Sequence, residues 1–355
     1  MFRSKSSIMT KLWTSFSTSF KRPDAQKRAQ RKRGLAYGAL IYRLRWPIVL
    51  GWLVLAAFSV PCTASLGHVL QNSGYSIPQS ESVLVEATLA TTLHQPTSDV
   101  LVVFQSDRMT VSDARYQAEV QLFLQRARTF AHVVAVTQIG IGRNDHTTAI
   151  DLGFDQDADV VATHMPEIRA LIPVGPARAY LTGEAAVVSE VQIDTQKDIE
   201  SAEIIALPLT LLVLLLVFGS LIAALVPVLL AGIVVSTSLA GLYLATFHLT
   251  TNIFAQSLIT VLGLGLAIDY SLIVIRRFRE ELAHHATVCE AVAHTVATAG
   301  KAILWSGMIV IVGFAGLLLI GIGIMTSFAL AGMIVAATAV LAALTLLPAL
   351  LSILG

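Results

Sequence analysis

Apolar residues in this chain gather into six long blocks, near residues 46–65, 203–218, 221–247, 254–275, 302–320 and 325–354. A helix needs about 20 predominantly apolar residues to cross the hydrocarbon core of a bilayer. The blocks therefore predict six transmembrane helices. The second and third are separated only by Gly219-Ser220, which predicts a tight helical hairpin. Pro208, Pro227 and Pro348 fall inside blocks, but neighbouring helices can satisfy the carbonyls that a proline frees.

Between the first two blocks the pattern changes to short alternating runs. Residues 99–104 (Asp-Val-Leu-Val-Val-Phe) predict a strand. Residues 111–132 predict an amphipathic helix, with Ser112 as N-cap and Val120, Leu122, Phe123, Leu124 and Phe130 as its apolar positions. A β-branched strand over 133–139, a turn at Gly142-Arg143-Asn144-Asp145 and a returning strand over 147–154 predict a hairpin. A second helix over 158–171 and a fourth strand over 178–182 complete a βαββαβ order, the ferredoxin-like split unit. Residues 185–201 read as a helix running straight into the second apolar block. It is either a lever between the two regions or a plain linker.

Composition fits a membrane protein. Hydrophobic residues make up 55% and charged residues 13%, where soluble domains carry roughly 25% charged residues. The charges are also unevenly placed. Residues 1–45 hold twelve Lys/Arg and one acid, Asp24, whereas residues 67–203 hold eight Lys/Arg and eighteen Asp/Glu. The basic tail and Arg276, Arg277, Arg279 and Lys301 predict cytoplasmic positions by the positive-inside rule. The expected organisation is a disordered basic cytoplasmic tail (1–45) attracted to anionic lipid and a first transmembrane helix (46–66). An extracytoplasmic α+β domain (67–202) follows, then a five-helix transmembrane bundle (203–355) with a cytoplasmic loop (276–301). Both termini lie inside. Net charge of +1 is an average over these regions and gives no indication of nucleic-acid binding. Cys62 and Cys289 fall on opposite sides of the membrane in this arrangement and cannot pair.

One residue carries the chemistry. Asp269 is the only Asp, Glu, Lys or Arg between Glu203 and Arg276, and it lies within a block predicted to span. A carboxylate at mid-bilayer costs at least about 2.5–3.5 kcal/mol on insertion scales, and such residues commonly mark ion or proton pathways. Burial disfavours the anion, so such a group can load and release protons near neutral pH. Gly263 and Gly265 precede it and allow close helix approach. Ser306, at the entry to the fifth helix, is a candidate hydrogen-bond partner of Asp269. Tyr270 either joins the relay or packs. Asn252, Gln256, Ser257 and Thr260 are candidates for lining a proton or substrate entry. His284, His285 and His294 lack metal-site spacing, and no metal or other cofactor is expected.

Three stretches point to a family. They are Gly263-Leu264-Gly265-Leu266-Ala267-Ile268-Asp269-Tyr270-Ser271-Leu272 with Arg276-Arg277-Phe278-Arg279-Glu280-Glu281-Leu282, then Ala297-Thr298-Ala299-Gly300-Lys301-Ala302-Ile303-Leu304-Trp305-Ser306-Gly307, and more weakly Leu181-Thr182-Gly183-Glu184-Ala185-Ala186. Over about residues 40–355 the chain resembles the N-terminal half of a mycobacterial membrane protein large (MMPL) transporter of the resistance–nodulation–division (RND) superfamily. The resemblance implies a proton relay through Asp269 and Tyr270 that powers export of lipids or other hydrophobic molecules. It also implies a second homologous half, which this chain lacks. The expected function is a half-size proton-coupled exporter in the cytoplasmic membrane, acting as a homo-oligomer or with a separately encoded half. The alternatives are a non-transporting assembly or sensory subunit, or a truncated fragment of a longer transporter. Residues 67–203 contain no Gly-x-Ser-x-Gly elbow and no cysteine, and the chain has no nucleotide-binding loop, so an enzyme is not expected.

Overall fold

The computed structural model describes residues 24–67, 69–70, 95–284 and 287–355, with positions 80, 81, 84, 85, 88 and 92 between them. The side chains at 24–33, 196, 199, 200, 202 and 203 lie outside the description, as do the first 23 residues of the expected tail and His285.

The tail does not remain irregular up to the membrane. Asp24–Arg43 forms a helix (α1). The reason is visible from Gly34 onward. A Cβ at Gly34 would stand 2.8 Å from that of Ala297, and Gly38 faces Ala293 more closely still. Two glycines one turn apart thus let α1 lie against the helix carrying Ala293 and Ala297, with Ile41 buried below them. The chain breaks at Leu44 and continues as α2, Arg45–Leu66, predominantly apolar after Arg45, with Pro61 inside it. Arg45 ties this corner down by donating to the Ser352 carbonyl at 3.1 Å.

The exported region is one four-stranded antiparallel sheet, β1 (Ser98–Gln105), β2 (Val133–Ile141), β3 (Thr147–Phe154) and β4 (Arg178–Thr182), in the order β2-β3-β1-β4. Helix α3 (Ala114–Arg128) connects β1 to β2. Its N-cap is Asp113 rather than Ser112. The expected helix over 158–171 is two short ones, α4 (Ala158–Thr163) and α5 (Met165–Ala170), interrupted at His164. Pro166 brings no N–H to continue the ladder, so the chain restarts there. One sheet face buries Val100, Val102, Phe104, Ile150 and Leu152 against Tyr116, Phe123 and Ile168. The Tyr116 hydroxyl donates to the Phe104 carbonyl at 2.8 Å, which satisfies the one polar atom of that core side chain.

β4 feeds directly into α6, Glu184–Phe218, an unbroken 35-residue helix. At about 1.5 Å per residue it is roughly 50 Å long, and only Ile204–Phe218 is apolar. The corner at Gly183 has φ +101°, and a Cβ there would stand 2.9 Å from the Asp99 carbonyl oxygen. Both facts require glycine in the Leu-Thr-Gly motif.

Gly219, left-handed at φ 64°, ends α6 and starts the hairpin into α7, Leu221–Ala245. Helix α8 runs Phe254–His284 and α9 runs Val288–Ala315, followed by a 3-10 turn at Gly316–Ile320. The expected loop over 276–301 is therefore almost entirely helical. Arg276 and Arg277 pair with Glu280 and Glu281 one turn on, and the Thr287 side chain accepts from the Glu290 N–H to start α9. The sixth block is two helices, α10 (Gly323–Leu344) and α11 (Leu346–Leu354), broken at Thr345. Pro348 can neither donate to the Leu344 carbonyl nor clear it.

Five described helical segments are long and apolar enough to cross a membrane, and Ile204–Phe218 is a shorter apolar one. The molecule is a multi-spanning helical membrane protein with a sheet-containing domain between its first apolar helix and the rest. Helix α8 is central, with Ile259, Ala267, Tyr270 and Val274 in the same core as Val234, Val335 and Ala339.

Candidate functional site

Helix α8 presents two unlike faces. Gly263, Ala267, Tyr270, Ser271 and Val274 are buried. Val261, Gly265, Asp269 and Ile273 are exposed. The exposed set recurs every four residues, so it forms one stripe along the helix. Asp269 stands in the middle of this stripe, uncovered by the described protein. No hydrogen bond or ion pair from the described residues reaches it.

The two candidate packing glycines divide between these faces. A Cβ at Gly263 would meet Val235 at 2.9 Å and Val335 at 3.1 Å, so Gly263 lets α8 nest between α7 and α10. Nothing lies within 4 Å of a Cβ built at Gly265. Gly265 is a bare backbone patch one turn before the carboxylate, on the same uncovered stripe.

Tyr270 points inward at 3% exposure. Its hydroxyl is buried and has no hydrogen-bond partner among the described residues. A Cβ built at Gly307 would stand 3.6 Å from the phenol oxygen. Ser306, next to Gly307, is exposed on α9, and no hydrogen bond joins it to Asp269. The three candidate relay residues are thus one outward carboxylate, one inward phenol and one outward hydroxyl.

Among the entry candidates, Asn252 caps α8, its Oδ1 accepting from the Phe254 N–H at 2.9 Å. The Asn252 N–H donates to Ser327 Oγ at 3.0 Å, which ties α8 to α10. Ser257 Oγ is buried without a partner among the described residues, as are Thr237 Oγ1 and Ser238 Oγ on α7. These unpaired hydroxyls in apolar helices carry a desolvation cost, and Thr237 and Ser238 have no signature in a pattern of otherwise continuous apolar sequence.

The arginines at the far end of α8 make specific contacts. Arg277 donates to Thr298 Oγ1 on α9 at 3.2 Å. Glu281, paired with it, is only 7% exposed. His284 Nδ1 lies 2.7 Å from the Glu280 carbonyl oxygen. Among the described residues no group of three or more His, Cys, Asp or Glu comes together as a metal site.

A bundle of apolar helices long enough to span a membrane, with a sheet domain outside it, defines the class, a multi-spanning integral membrane protein. The chain belongs to the MMPL family, whose sequence profile matches residues 75–355. It is 32% identical over 88% of its length to the "Probable transport protein MmpL11" of Mycobacterium leprae, covering 32% of that protein. It is 28% identical over 88% of its length to the "Mycolic acid-containing lipids exporter MmpL11" of Mycolicibacterium smegmatis, covering 34% of it. It is 30% identical over 87% of its length to the "Heme uptake protein MmpL11" of Mycobacterium tuberculosis, covering 33% of it. The chain spans about a third of the length of the curated relatives it matches.

Proposed function

We propose that this chain is one half of a proton-coupled exporter of lipids or other hydrophobic molecules across the cytoplasmic membrane, of the RND type. Asp269 is its proton carrier, and a second half, either another copy or a separate homologous chain, covers the Asp269 stripe. The observation that carries this reading is the stripe itself. An ionisable side chain in mid-helix, with a glycine one turn before it, faces away from its own bundle. Such a carboxylate is costly in lipid and becomes useful once a facing helix shields it and exchanges protons with it.

The topology that goes with this function has six spans, with Ile204–Phe218 at the end of α6 as the second. Both termini lie in the cytoplasm and the sheet domain lies outside as a ferredoxin-like unit. Its element order and strand order support that assignment. Helix α6 then couples the exported domain to the membrane as a continuous lever. A proton enters from the outside, neutralises Asp269 and leaves to the cytoplasm. The protonated and ionised states favour different contacts along the stripe, and the rearrangement moves cargo outward. Tyr270 tunes the buried side of the same helix, and Ser306 offers a hydroxyl on the neighbouring outer surface. The family's transport role and the mycolic-lipid exporter among the relatives support a lipid-like cargo.

The relative named for heme uptake supports a second reading, in which a hydrophobic cargo moves inward. One experiment separates the two. The full chain is reconstituted in vesicles of defined orientation under an imposed pH gradient, and labelled lipid and heme are followed in both directions. Outward lipid movement that needs the gradient and Asp269 supports the exporter. Inward heme movement alone replaces it with the second reading. No gradient-dependent movement in either direction, whether the chain is reconstituted alone or together with a separate homologous half, leaves an assembly or sensory role and overturns transport.

A further inference from the structure

The turn between α6 and α7, the end of α8 and helix α11 line a half-open cavity of about 290 Å³. Its walls include Ala223, Val226, Ile275, Phe278 and Leu351, and Arg279 stands at its edge. Ligand pockets for drug-sized molecules run from about 300 to 1,000 Å³, so this one takes the end of a single chain rather than a bulky solute.

Arg279 differs from its neighbours. Arg276 and Arg277 are paired with Glu280 and Glu281. Arg279 has no carboxylate partner among the described residues. Its Nη1 donates to the Phe218 carbonyl at 3.2 Å, and its guanidinium carbon sits 5.2 Å from the centre of the Phe218 ring. These contacts use one of five N–H donors and hold the planar group at the rim of an apolar cavity. A fixed guanidinium matches a phosphate in a two-pronged geometry, and basic pockets between helices at a membrane face bind anionic headgroups.

We propose that this cavity is a binding site for an anionic phospholipid, with one acyl chain between α7, α8 and α11 and the phosphate on Arg279. The site is distinct from the Asp269 stripe. Its assignment to the cytoplasmic leaflet rests on the proposed orientation, but lipid binding itself does not.

The test is native mass spectrometry of the detergent-solubilised full chain, titrated with dioleoyl-phosphatidylglycerol or dioleoyl-phosphatidylcholine. The expected result is one tightly retained phosphatidylglycerol per chain, preferred over phosphatidylcholine by about fivefold, the scale of one interfacial basic residue. Arg279→Gln removes the preference, Arg279→Lys keeps a weaker one and Arg276→Gln leaves it unchanged. Ala223→Phe, which fills the cavity, lowers retention of both lipids. Glycerol 3-phosphate does not compete. Equal retention of the two lipids by the wild-type chain overturns the proposal. So does equal loss in Arg276→Gln and Arg279→Gln, equal loss in Arg279→Lys and Arg279→Gln (a purely structural role for Arg279 at the α6 terminus), or displacement by glycerol 3-phosphate.

Discussion

Asp269 and Tyr270 are consecutive residues with opposite surroundings. The carboxylate stands on an uncovered stripe, while the phenol hydroxyl is sealed in the bundle beside Gly307 without a hydrogen-bond partner among the described residues. Successive side chains on a helix diverge by about 100°, so one helix presents two unlike sides at adjacent positions. The outer position is left uncovered by the described residues. The inner one carries a polar atom that costs about 1–3 kcal/mol when left unpaired.

Substitutions at the two sites should therefore separate function from stability. Asp269→Asn preserves size and removes titration. It should insert and fold, yet abolish gradient-driven cargo movement in reconstituted vesicles. Tyr270→Phe should raise the thermal stability of the extracted chain, by the order of 1 kcal/mol, while slowing transport. Full transport in Asp269→Asn would exclude it as the proton carrier. Unchanged transport in Tyr270→Phe would reduce Tyr270 to a packing residue.

The two glycines of the motif make a second contrast. Gly263→Leu forces a side chain into Val235 and Val335, and overpacking of this kind costs about 1–3 kcal/mol. It should lower the thermal stability of the single chain. A Cβ at Gly265 meets nothing within 4 Å and projects from the exposed face, so Gly265→Leu should not lower that stability. If a second half covers the stripe, Gly265→Leu should instead weaken association, read as a shift from dimer to monomer by mass photometry in nanodiscs. Association unaffected by Gly265→Leu would place the partner on another face.

Much of this was legible from local pattern alone. The strands over 133–139 and 147–154, the Gly219-Ser220 hairpin and the run of α6 out of the exported domain all follow from β-branching, turn residues and helical continuity. What was not legible depended on contacts distant in sequence. Nothing local marks Gly34 and Gly38 as the seat of Ala297 and Ala293, so a basic segment read as disordered when part of it is a docked helix. The ion pairs of Arg276 and Arg277 fall at helical spacing, yet their charge made 276–301 read as a loop. The outward turn of Asp269 was beyond reach too, because helical phase is set by packing against α7 and α10, and their small residues carry little periodic signal.

The docking of α1 gives a third prediction. Gly38→Leu cannot fit against the Ala293 backbone, so α1 should detach from α9. Hydrogen exchange of residues 24–43 in the full chain should then accelerate, while exchange in the exported sheet stays constant. Ala36→Leu, on the exposed side of α1, is the control and should change neither. Equal exchange in wild type and Gly38→Leu would mean that α1 holds without this contact.

The exported sheet supplies a pH test. Asp151 pairs with Leu101 in the β1–β3 register, and Asp99 pairs with Gly153 two residues away. Both acids thus lie on the sheet face turned from the helices, diagonal to each other. Asp151 Oδ1 is buried without a partner among the described residues. Burial, and then the charge of Asp99, push the Asp151 carboxyl above its ordinary value. The folded state therefore binds this proton more tightly than the unfolded chain. The resulting stabilisation is complete below the ordinary aspartate value of about 3.9 and is lost as pH rises through the raised one. At neutral pH the ionised group works against folding. Asp151→Asn should slow hydrogen exchange in strand 147–154 relative to wild type at pH 7, with the difference shrinking towards zero as the pH approaches about 4. Comparing variant and wild type at the same pH cancels the intrinsic pH dependence of exchange. Faster exchange in the variant at pH 7 would mean that the Asp151 carboxylate is stabilised in the folded sheet, the reverse of what its burial beside Asp99 requires.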